Sequence, residues 1–201
     1  MRSNAWRICF ILGAVFIAAG GPQHPRGTME QMLADPKWVP AHLLLLAAFL
    51  LLLAGLVLFG RSRPLPDRTR RWVRFATLGT VLQAIEMALH TAAAVDHDAL
   101  ATGHATPILS THLTIAVLCY PLFSAALIGL VVAGVRDRTL GSPWFAWLGV
   151  LGLLGHGAAA PLVVAFHIEG ARALFPLLLG FALWMFLAGL IGSRWAAART
   201  A

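Results

Sequence analysis

From Val39 to Phe59 the chain runs without one Asp, Glu, Lys or Arg, with leucine at 43–46 and again at 50–53. Crossing the ~30 Å hydrocarbon layer of a bilayer takes about 20 helical residues at ~1.5 Å each, so this run alone is a membrane span. In hydrocarbon every backbone N–H and C=O has to find a partner inside its own segment, which makes the span a helix. Five further apolar blocks occupy roughly 6–20, 72–95, 107–135, 143–167 and 172–191. Together they predict an all-α, polytopic integral membrane bundle of six helices, one domain over 1–201, with no internal repeat. The first block is short and has a second reading. Arg2 and Arg7 precede the apolar stretch Ile8–Ala19, and Ala18-Ala19-Gly20 offers a cleavage point, which is the grammar of a signal peptide. On that reading five helices remain.

Hydrophobic residues make up 59% of the chain and charged ones 11%. Soluble domains carry about a quarter charged residues, so a soluble enzyme is excluded. The net charge of +7 does not indicate nucleic acid, because the basic residues sit in short loops between apolar blocks rather than along one groove. Cys9 and Cys119 both lie inside apolar blocks with no Cys-x-x-Cys pair, which excludes covalent c-type haem and cysteine-based zinc fingers.

Short cytoplasmic loops carry an excess of Arg and Lys. Of the 15 basic residues, one side of the proposed topology holds Arg2, Arg7, Arg61, Arg63, Arg68, Arg70, Arg71, Arg74, Arg136, Arg138, Arg194 and Arg199. The other side holds Arg26, Lys37 and Arg172. This predicts a multi-pass protein of the cell membrane with both termini in the cytoplasm. Trp6, Trp72, Trp144 and Trp195 then fall at inner ends and Trp38 at an outer end, as interfacial anchors do.

None of the eight histidines falls in an arginine-rich loop. His42 opens the second span, His90 ends the third, His112 lies just inside the fourth, His156 is deep in the fifth and His167 closes it. His24, His97 and His104 read as loop residues, and His167 beside Glu169 as a solvated helix end. Glu86 is the one acid deep in an apolar block, and it shares a helix face with His90 four residues on. Ionisable groups inside a membrane are costly and face the bundle interior, where they mark function. The candidate site is therefore His42, His90, His112 and His156 as cofactor or metal ligands. Glu86 would move a proton or orient a ligating imidazole. Two layers are expected, shallow for His42, His90 and His112, deeper for Glu86 and His156.

Glycines at 149, 152, 155 and 157 remove volume around His156. They suit either a flat macrocycle approaching the backbone or ordinary close helix packing. Histidines facing one another across a bundle are the look of transmembrane b-type cytochromes, an analogy of class. The leading expectation is a redox protein binding haem b or a transition metal, with electron transfer as its role. The alternatives are a zinc- or copper-dependent membrane enzyme acting on a lipid-soluble small molecule, a proton pathway, and a cofactor-free assembly subunit with other membrane partners. Whether the chain is an enzyme stays open at this point.

Overall fold

The arrangement of the chain is given by a computed structural model, which describes residues 4–62 and 64–191. Arg2, Arg63, Arg194, Trp195 and Arg199, counted above, lie outside these residues. The described chain has no strand. Its α-helices are α1 (Ala5–Gly20), α2 (Met29–Ala34), α3 (Trp38–Ser62), α4 (Asp67–Ala92), α5 (His97–Ala101), α6 (Pro107–Arg136), α7 (Pro143–Ala160) and α8 (Leu178–Ile191). Six stretches are long and apolar enough to cross a membrane: Ala5–Gln23, Trp38–Ser62, Asp67–Ala101, Pro107–Arg136, Pro143–Ala165 and Glu169–Ile191. The chain is an all-α bundle of membrane-spanning helices, and the short helices α2 and α5 sit at the end that carries the histidines.

Helix limits differ from the hydropathy blocks where polar residues are helical or proline is not. The third span starts at Asp67, one turn before Trp72. Pro66 precedes it, and the carboxylate of Asp67 lies at the positive end of the helix dipole. This polar first turn is fixed from the side. Thr69 donates its backbone N–H and its hydroxyl to Asp137 Oδ2 at 3.2 and 2.8 Å, tying the start of α4 to the end of α6. The fifth span leaves α-helical form at Pro161, which has no N–H to donate, and continues as a π-helical stretch over Pro161–Ala165. The sixth begins as a 3₁₀ stretch over Glu169–Leu177 that contains Pro176.

The spans form a closed ring. α1 packs on α3, α3 on α4, α4 on α6, α6 on α7, α7 on α8, and α8 returns to α1. Phe123 of α6 bridges the interior, with ring centroids 5.4 Å from Phe49 of α3 and 6.3 Å from Phe181 of α8. At the seam, Arg7 of α1 donates to the carbonyl oxygens of Gly189, at 2.6 Å, and Leu190, so it serves the otherwise unpaired carbonyls at the end of α8. α1 is core, with Phe10 and Ile17 fully buried.

Two tryptophans are not interfacial anchors. Trp6 is buried edge-on to Phe10 and Phe59. Trp38 is buried beside the histidines. Trp144, by contrast, is 82% exposed, as an anchor facing lipid headgroups would be. The bundle core is close-packed where α4 meets α6, because Gly129 leaves its place to the Trp72 ring and Gly79 lies against the Phe123 backbone. That close approach sets the third and fourth spans side by side.

Candidate metal centre

The site is built where α3, α4 and α6 reach the histidine end. His42 is one turn into α3, and its Nδ1 lies 2.6 Å from the Trp38 carbonyl, the group four residues before it. That carbonyl takes the Nδ1 proton and leaves the Nε2 lone pair for another partner, which is how protein metal sites commonly fix a ligating imidazole. Nε2 of His42 is buried and has no hydrogen-bond partner. Trp38 also reaches α4, its indole N–H donating to the His90 carbonyl at 3.2 Å.

α6 is brought into register by Asp96. Its Oδ2 accepts from the Leu109 N–H at 2.8 Å, so a carboxylate fixed at the end of the third span caps the first turn of the fourth. One turn on, His112 lies over His90, the rings nearly parallel with centroids 3.9 Å apart. His90 in turn lies 4.1 Å from His42. Glu86 sits below, fully buried. Its Oε2 accepts from Gln83 Nε2 at 2.8 Å. Its Oε1 lies 2.7 Å from His112 Nδ1 and 3.9 Å from His90 Nδ1. These are ion-pair distances without hydrogen-bond alignment, and Glu86 Oε1, His90 Nδ1 and His112 Nδ1 all lack a hydrogen-bond partner.

A fourth imidazole joins from a residue that reads in the sequence as an ordinary loop position. His24 follows the short 3₁₀ turn Gly21–Gln23. Its ring lies 4.8 Å from that of His42 and 6.0 Å from that of His90. Its Nδ1 is 2.8 Å from the Pro25 carbonyl, repeating the arrangement at His42. Burial pushes the His24 imidazole below its ordinary pKa, against the opposing pull of the Pro25 carbonyl, and the charges of Arg172 and His112 push the same way as burial. With Nδ1 turned to that carbonyl, Nε2 is the nitrogen left for another partner. α2, held by a reciprocal cap between Thr28 and Gln31, closes over this loop, with Met32 and Leu33 packed on Trp38 and Leu109.

Two groups of donors result. In each, the ligand atoms lie within 4.8 Å of one another: His24, His42 and His90 in one, Glu86, His90 and His112 in the other. Donors around a tetrahedral ion at ~2.0–2.1 Å stand about 3.3 Å apart, so small side-chain turns close either group on one ion.

His156 is in neither group. It stacks on Tyr120, centroids 4.5 Å apart, and meets Phe123 edge-on at 5.8 Å. Both its nitrogens are buried without a partner. The glycines near it are covered by neighbouring spans: a Cβ on Gly152 would stand 2.4 Å from the Phe181 nitrogen of α8, one on Gly155 2.4 Å from a methyl of Leu177 in the 3₁₀ stretch, and one on Gly157 2.7 Å from the Ser124 Cβ of α6. These glycines serve helix packing. His97 and His104 pair with Asp98 and Thr102 at the surface, and His167 is exposed at positive φ. Comparison with protein-family models, curated proteins and solved structures returned no match, so the donor geometry is the basis for a functional reading.

Proposed function

We propose that this membrane protein binds a divalent first-row transition-metal ion at the histidine end of its bundle, through His42, His90, His112 and Glu86 with His24 beside them. The carrying observation is the convergence of buried donor atoms: His42 Nε2 has no hydrogen-bond partner, Glu86 Oε1 is faced by His112 Nδ1 at 2.7 Å and His90 Nδ1 at 3.9 Å, and three donors meet within 4.8 Å in each of two groups. A buried polar atom left unpaired costs about 1–3 kcal/mol, and a metal ion satisfies several at once. Neutral imidazole with carboxylate is a borderline donor set without sulfur, suited to Zn²⁺ or Cu²⁺. Either group of three donors, His24, His42 and His90 or Glu86, His90 and His112, leaves one coordination position for water or a substrate, the arrangement of catalytic rather than structural zinc.

The haem reading has less support. Bis-histidine ligation needs a flat macrocycle between two imidazoles, whereas these rings stack at 3.9 and 4.1 Å, and the space at the glycines beside His156 is taken by Leu177 and Ser124. The positive-inside bias supports a topology with both termini in the cytoplasm and the metal end on the outer side. A reporter active only outside the cell should therefore be active when inserted at Gly103 and silent within 67–74. The opposite pattern would invert the assignment.

The ion itself is tested on purified protein exposed to Zn²⁺ and washed with a weak chelator. One equivalent should remain. Glu86→Gln should weaken retention ~10–100-fold, because one donor group loses its charged ligand while the three imidazoles of the other group remain. His156→Phe should leave retention unchanged. No retained zinc in the wild-type protein, or equal retention in Glu86→Gln, would favour a purely structural role for the cluster.

A further inference from the structure

The two donor groups share a single residue, His90. We propose that the ion is captured at an outer position formed by His24, His42 and His90 and handed to an inner position formed by Glu86, His90 and His112. This rests on the metal reading above and adds a direction and an order of ligand exchange to it.

The imidazoles form a row from the loop into the bundle, with successive ring separations of 4.8 Å from His24 to His42, 4.1 Å to His90 and 3.9 Å to His112. Along this row an ion can keep His90 while exchanging the Nε2 atoms of His24 and His42 for His112 and the Glu86 carboxylate. Each exchange replaces one donor with a neighbour, so the ion is never left bare in a low-dielectric interior. The inner position is the stronger one because it includes the carboxylate, whose charge the outer position lacks. Glu86 is also fully buried, so its attraction for the ion is poorly screened.

His24 is suited to capture by its place in the chain. It is partly exposed and belongs to no helix, whereas His42, His90 and His112 are fixed on spans. Gly27 follows at φ +127°, a conformation that a side chain would strain. The Arg172 guanidinium ties this loop to the start of the sixth span through the Gly27 carbonyl at 3.0 Å. Its own charge, adverse to a cation, is offset by Glu169 at 2.7 Å. Beyond Glu86 and Gln83 the interior toward the arginine end is lined by Phe123, Leu127, Leu130 and Val73. The row therefore ends at the carboxylate, and the ion is delivered to a resting place rather than across the membrane.

Co²⁺ is the probe, because its visible bands report coordination and X-ray absorption distinguishes imidazole from carboxylate donors. The protein in detergent should settle with two imidazoles and a carboxylate on cobalt. His24→Ala should reach the same final spectrum but load severalfold more slowly, because the capture position is left with two donors. Glu86→Gln combined with His112→Ala should hold cobalt in an all-nitrogen shell that His24→Ala then abolishes. Loading of His24→Ala at the wild-type rate would overturn the relay while leaving the metal site standing. So would four imidazoles on cobalt at once in the wild-type protein, or failure of the Glu86→Gln, His112→Ala protein to bind cobalt. Failure of the wild-type protein to take up cobalt would overturn both.

Discussion

His90→Ala should abolish retention of the metal, a loss larger than the ~10–100-fold expected for Glu86→Gln. His90 is the residue common to both donor groups, so its removal leaves two donors at each position. Two donors to a divalent ion compete poorly with water and chelator, because structural and catalytic sites alike use at least three protein ligands. His112→Ala and His24→Ala each leave one group whole and should keep measurable binding. The protein should still fold, since the His90 carbonyl that accepts the Trp38 indole is backbone and survives the substitution. Zinc content after chelator washing, read beside the melting temperature, separates the outcomes. His90→Ala protein that keeps one equivalent of zinc would show that the ion is held elsewhere. Equal zinc loss in all three variants would instead point to general loosening of the cluster.

The sequence makes the spans legible because hydrocarbon allows so few alternatives: an apolar run of that length can only be a helix. What it hides is set by other forces. The first turn of α4 is polar, so no hydropathy block includes Asp67–Arg71, yet Thr69 is held there by Asp137 from α6, a contact between residues far apart in sequence. Proline marks the trouble at Pro161 and Pro176 but does not say whether the chain kinks, unwinds or continues as a π or 3₁₀ stretch. Among the site residues, Glu86, His90 and His112 stand out because an ionisable side chain in an apolar block needs a reason to be there. His24 does not, since a loop histidine needs none, and its approach to His42 depends on how the Gly21–Pro25 turn folds back. Trp38 was legible as an amphipathic ring near an interface, but only the packing of α2 over it shows that it faces inward. The depth of His156 could be read from its position in the span. Its separation from the other imidazoles could not, because that depends on which face of α7 meets Tyr120.

Gly152→Ala should be among the most destabilising single-methyl changes in the chain, and its sign runs against helix propensity. In a helix interior Ala is favoured over Gly by roughly 0.5–1 kcal/mol, so a glycine with open space beside it gains from the change. Gly60 of α3 is nearly such a case, where a new Cβ meets only a Val73 methyl at 3.3 Å, which can turn aside. At Gly152 the new Cβ would stand 2.4 Å from the Phe181 nitrogen and 2.7 Å from the Leu177 carbonyl oxygen, and backbone cannot rotate away. α7 and α8 must then separate along their length. Overpacking of this kind costs about 1–3 kcal/mol, enough to exceed the propensity gain. Gly60→Ala should therefore melt at or slightly above the wild-type temperature and Gly152→Ala several degrees below it, while zinc content per folded molecule stays the same in both. That pairing also weighs the two readings of the glycines around His156. If they face a neighbouring helix, the penalty is paid in melting temperature alone. If they faced a bound macrocycle, Gly152→Ala would leave the apoprotein as stable as before and abolish the colour on reconstitution with haem.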